Sequence, residues 1–118
     1  MTKPQIILYK SNRKEKKYVL DLGYKRIHFG QKGYRDFTLL NDKTSSFYEP
    51  DFLKREKVKL GYLKRHKNDI LNEITPGSAS WFILWNKKDI KSSLKDFEKE
   101  FDVKVKDISD IEYEKTYI

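Results

Sequence analysis

The apolar residues of this chain change their spacing at Pro50, and that change decides the fold class. Before it they stand in short runs: Ile6 to Tyr9, then Tyr18 to Leu20 with Leu22, then Ile27, His28 and Phe29. Short β-favouring runs bounded by polar or glycine-containing stretches read as strands. Ser11 to Lys17 is polar and is expected to be an exposed loop. Gly23 with Tyr24 suits a tight turn, and the third run ends at Gly30. Three such strands in succession predict an antiparallel meander. Gly30 and Gly33 bracket a shaped turn, and neither the Walker nor the dinucleotide-binding pattern is present. Asn41 to Ser46 reads as a loop.

After Pro50 the spacing is helical. Pro50 and Asp51 open a helix expected to run to about Lys67, with Leu53, Leu60 and Leu63 on one face and Lys54, Lys57, Lys64 and Arg65 on another. Gly61 weakens that helix by roughly 1 kcal/mol relative to alanine. Thr75 suits an N-cap and Pro76 the first helical position. The segment that follows, Trp81 to Trp85, is apolar on every side and is expected in the core. Asp89 caps a third helix with Ile90, Leu94, Phe97 and Phe101 in the clearest period of the chain. The expected fold is therefore α+β, an N-terminal antiparallel sheet of about three strands followed by two or three packed helices. Residues 1–106 form one basic domain. Val103 and Val105 allow a short strand. Residues 107–118 read as an acidic, partly apolar tail, with Asp107, Asp110, Glu112 and Glu114 among Ile108, Ile111, Tyr113, Tyr117 and Ile118. That tail is expected to fold back over the basic surface or to dock on a second copy and link protomers.

Charge narrows the partners. Of 118 residues, 26 are Lys or Arg and 18 Asp or Glu, a net +8. Residues 1–67 carry 18 Lys/Arg against 7 Asp/Glu, while residues 68–118 carry 8 against 11. A local excess of cations is what a polyanion-facing surface needs. There is no cysteine, so disulfides and thiolate metal sites are excluded, and two histidines alone are a poor basis for zinc. No cofactor is expected. No run of eighteen apolar residues spans a membrane, and Ile6 to Tyr9 is too short for a signal-peptide core, so an intracellular protein is expected.

Tyr62, Lys64, Arg65 and His66 form the sharpest basic and aromatic cluster. Cations neutralise phosphates and release counterions, and a ring can stack on an exposed base. The loop cations Arg13, Lys14, Lys16 and Lys17 can lie along a backbone, and Lys25, Arg26, Lys32 and Arg35 extend the same surface. Set against this, a charge run is often merely solvated, and cations at a helix C-terminus suit its dipole. His28 and Asp36 suggest acid–base chemistry, but a histidine between Ile27 and Phe29 is expected to be structural, hydrogen-bonded to Asp36 or to a carbonyl. Asp21, Asp36 and Asp42 do not make the carboxylate set of a metal-dependent nuclease.

From Asn12 to about Val103 the chain resembles a family of small, basic, poorly characterised proteins of large DNA viruses of eukaryotes (mimivirus- and iridovirus-like) and some phages. The resemblance is carried by Lys17-Tyr18-Val19, Ile27-His28-Phe29-Gly30 and Gly33-Tyr34-Arg35-Asp36-Phe37-Thr38. It continues through Tyr62-Leu63-Lys64-Arg65-His66, Thr75-Pro76-Gly77, Trp81 to Lys87 and the Ile90 helix. It implies a virion or virus-factory protein of virion or host cytoplasm that binds DNA and catalyses nothing. Relatives carry arginine where Ser80 stands and proline where Lys88 stands. The expected partner is nucleic acid, foremost double-stranded DNA. The alternative is a scaffold that binds acidic protein segments through the same basic face.

Overall fold

The computed structural model of the chain describes residues 3–70 and 72–112. Three antiparallel strands come first: β1 (Gln5–Lys10), β2 (Lys16–Asp21) and β3 (Arg26–Gln31). β2 pairs with β1 on one side and β3 on the other, with Leu20 opposite both Leu8 and Ile27. The meander of the sequence reading is present, with one shift. Lys16 and Lys17 belong to β2, so the expected loop shortens to residues 11–15. Gly23, at φ +89°, makes the β2–β3 turn, where Leu22 N–H donates to the Lys25 carbonyl at 2.9 Å.

α1 (Phe37–Leu40) is a single turn the sequence reading did not anticipate, capped by Asp36. α2 (Phe52–Arg65) starts on Asp51, whose side chain accepts from Leu53 N–H. It runs unbroken through Gly61, where the Arg65 guanidinium lies 3.3 Å from the place a Cβ would take. α3 (Pro76–Ala79) begins on a Thr75–Ser78 capping box and continues as a wide π-helical turn, Ser80–Leu84, which Trp85 N–H closes on the Ser80 carbonyl. α4 (Ile90–Phe101) is capped by Asp89 and stops at Asp102, which takes the left-handed conformation. β4 (Lys104–Glu112) then lies parallel to β1, completing a mixed sheet of order β3-β2-β1-β4.

Strand alternation puts Ile6, Leu8, Leu20, Ile27 and Phe29 on the face the helices cover, where they join Ile83, Leu84, Leu94 and Phe97 in one core. The fold class expected from the change at Pro50 is the fold observed.

Two expectations are corrected here. Two of the three leucines of α2 do not face the core: Leu53 and Leu60 are exposed, while Leu63 packs inward with Val58 and Tyr62. At 3.6 residues per turn, Leu53 and Leu60 lie on the side opposite Val58 and Tyr62. The inward side is held by polar contacts as well. Lys59 Nζ donates to the Asn86 carbonyl, and Arg55 Nη1 donates to the Glu49 carbonyl at 2.6 Å. Long cationic side chains can pack their stems against apolar surface while their ends find acceptors, so a leucine stripe does not decide orientation alone. The second correction concerns the acidic tail. Its first residues, 107–112, are part of β4, so there the segment is a sheet strand. Residues 113–118, and whatever docking they perform, lie outside the described residues.

Candidate functional site

One end of the sheet is built from the close of β1, the start of β2 and the close of β3. Lys32 N–H donates to the Glu15 carbonyl at 3.0 Å, which ties the β1–β2 loop to the turn after β3. Gly30 and Gly33 take φ +76° and +85°, values that favour glycine, and bend the chain so that Tyr34, Arg35 and Asp36 turn toward the helices. Gly30 is also a close approach. A Cβ there would meet Leu84 Cδ1 at 2.8 Å and the Lys17 stem at 3.2 Å.

The bare backbone at Gly30 lets Lys17 reach Asp36. Lys17 Nζ donates to Asp36 Oδ2 and to the Tyr34 carbonyl, both at 2.7 Å. Asp36 is almost wholly buried, and its other oxygen accepts from Leu39 N–H at 3.0 Å and from the Thr38 hydroxyl. This corrects the reading of Lys17 as a free phosphate contact, since its charge is committed to Asp36.

The opposite wall comes from the end of α2 and the start of α3. Tyr62 is sandwiched: its ring lies 4.1 Å from Trp85 at 5° and 4.2 Å from His66 at 23°. Two stacked rings cannot share one face, so both faces of Tyr62 are occupied. That removes Tyr62 as a platform for a base. Burial, and after it the nearby Asp69 carboxylate, pushes its phenol up to about 12. His66 Nδ1 lies 3.0 Å from Asp69 Oδ2, a contact that the short 3-10 turn Lys67–Asp69 makes possible. Gly77 faces that turn, and a Cβ on it would stand 3.0 Å from Asp69.

Between the walls is a cleft of about 480 Å³. Phe29, Leu84 and Trp85 are among its apolar lining, and its cations are Lys16, Lys17, Arg35 and Arg65. Asp36 and Asp69 line it too, the first paired with Lys17 and the second with His66. Among the described residues, Lys16, Arg35 and Arg65 have no carboxylate within 4.0 Å. Tyr34, also in the lining, is 65% exposed.

The other expected contacts are dispersed. Arg13 and Arg26 flank a second, shallower groove of about 290 Å³ with Val19 and His28. Strand parity puts it on the face of the sheet away from the helices. Arg26 pairs with Asp21 at 3.6 Å. Lys25 sits at the far turn, roughly 17 Å from Lys16 along β2 at strand rise. Lys14 and Lys32 are exposed at the cleft end of the sheet, and Lys64 is exposed on α2, outside the cleft lining. His28 is bound to Ser11, with Nδ1 and Oγ 2.6 Å apart, and Asp36 is not its partner. Burial, then Arg13 and Arg26, lower its pKa.

Tyr34 and the His66–Asp69 contact were missed as site features by reading the sequence. A signal was present, in that Tyr34 directly precedes Arg35 within a glycine turn, but pairing across Lys67–Asp69 depends on a turn that periodicity does not reveal. Among the described residues no three His, Asp or Glu side chains gather as a metal set, and no helix is long and apolar enough to cross a membrane.

What fold and cleft define is a small α+β domain with a cation-walled cleft between a sheet end and two helices. Residues 6–45 match a family of unknown function, DUF5754. That stretch supplies β1 to β3 and α1, hence the sheet-side wall of the cleft, while the wall from Tyr62 to Trp85 lies beyond it. No curated protein and no solved structure matches the chain.

Proposed function

We propose that this protein binds nucleic acid, double-stranded DNA foremost, through the phosphate backbone and without regard to sequence, and that it catalyses no reaction. The observation that carries the reading is the gathering of Lys16, Arg35 and Arg65, from three separate segments, around one cleft, with no carboxylate within 4.0 Å of any of them among the described residues. Lys14 and Lys32 extend the surface at the same end of the sheet. Phosphate contacts of this kind position a protein on DNA and carry no sequence information. The viral resemblance supports the same reading, but this chain departs from it at Ser80, in the cleft lining, where relatives usually carry arginine, so it lacks that phosphate contact. A role in holding or compacting DNA in a virion or virus factory follows from that resemblance. Titration of a labelled duplex across a salt series tests the proposal. Affinity should fall steeply and equally for unrelated sequences, and salt-independent or absent binding would refute it.

A second reading has its own observation. α2 exposes Phe52, Leu53 and Leu60 beside Lys54, Lys57 and Lys64. An acidic protein segment with apolar side chains would suit that face, as a scaffold requires. Pull-down with an acidic amphipathic peptide, lost in Leu53→Ser with Leu60→Ser, distinguishes it from DNA binding.

A further inference from the structure

We infer that the cleft is a site for one unstacked nucleotide, with Arg35 and Arg65 on its phosphate and the Tyr34 ring against its base. The inference rests on the nucleic-acid reading and names the part of the nucleic acid that the cleft selects.

The site is a cleft in which Lys16, Lys17, Arg35 and Arg65 supply cations and the largely exposed Tyr34 supplies an aromatic ring, while Phe29 and Leu84 lie covered behind its wall. Its volume of about 480 Å³ is in the range of small-molecule sites, roughly 300–1,000 Å³. A ligand matched to the exposed ring and the cations together has a planar, weakly polar body and an anionic group, which is the chemistry of a nucleoside monophosphate.

Tyr34 makes the match more specific. Its ring stands largely in water at the cleft, and among the described residues no ring or cation packs on it. Its backbone is held firmly, with the carbonyl accepting from Lys17 Nζ at 2.7 Å and the N–H donating to the Gln31 carbonyl at 3.3 Å. An exposed ring on a fixed backbone is what base stacking uses, whereas Tyr62 is closed by Trp85 and His66. Duplex DNA keeps its bases inside the stack, so it offers the cleft only phosphates. A single strand, an overhang or an extruded base brings the base as well.

The test uses the full chain and two kinds of probe. Deoxyadenosine 5′-monophosphate is titrated while tryptophan emission is followed, because Trp85 lines the cleft. Deoxyadenosine and inorganic phosphate are run beside it. The nucleotide should saturate, with each half alone about tenfold weaker or more, and Tyr34→Ala should weaken it about tenfold, the scale of one base–aromatic stack. In parallel, a duplex with an unpaired overhang should bind about tenfold more tightly than the blunt duplex at one salt concentration. No saturable response to the nucleotide, or equal binding of free phosphate, overturns the inference. If the blunt duplex binds and the nucleotide does not, the cleft inference fails while the backbone reading stands. If the nucleotide saturates and no DNA binds, the backbone reading fails and the cleft is a site for a free nucleotide.

Discussion

Asp36 caps α1, receives Lys17 and lies almost wholly buried, so it joins sheet and helix through one carboxylate. The net value of such a pair is small, because both charges were taken out of water. Removing one partner is different, since it strands the other. Asp36→Ala should cost about 3–5 kcal/mol in urea denaturation, and a loss under about 1 kcal/mol would show that Lys17 escapes to solvent. Gly30→Ala should cost about 1–3 kcal/mol for the left-handed backbone alone, with the Leu84 contact adding to it. His28 yields a pH prediction. Its pKa is held below the ordinary 6.5, so the unfolded chain binds more protons than the folded one between the two values. Stability should therefore fall as pH drops through 6.5, and the loss should level off below the folded value. His28→Gln should flatten thermal-melting midpoints across that window. A slope unchanged in the variant would assign the effect to other groups.

At the scale of elements, local signals were legible and long-range partners were not. The three strands, the caps at Asp51, Thr75 and Asp89, and the α4 stripe all follow from patterns within a dozen residues. α1 was missed because one turn has no period, and only Asp36 as its cap announces it. The outward leucines of α2, Leu53 and Leu60, were misread because its orientation is decided largely by Trp85 and Asn86, more than twenty residues further along the chain. β4 was half seen. The alternation of Val103, just before it, and Val105 is visible, but its parallel pairing to β1 depends on α4 returning the chain across the sheet. Lys104 N–H donating to the Pro4 carbonyl at 2.9 Å starts that ladder. Truncation after Lys106 should therefore destabilise the fold, by about 2 kcal/mol or more if several ladder hydrogen bonds are lost. An unchanged melting temperature would mean that the end of β4 adds nothing to the sheet.

For the whole molecule, the sequence showed that cations concentrate in residues 1–67 but not how they are arranged. The fold sorts them: Lys17 is spent on Asp36, Arg26 pairs with Asp21, Lys25 is carried to the far turn, and Lys16, Arg35 and Arg65 meet at the cleft. That sorting is the central claim, and the salt dependence of binding measures it directly. For duplex DNA, log K falls with log salt by about 0.9 for each phosphate neutralised. Arg35→Gln with Arg65→Gln should reduce the slope by roughly 2, and Lys25→Gln should leave it unchanged. A double variant with the wild-type slope and affinity would contradict the account.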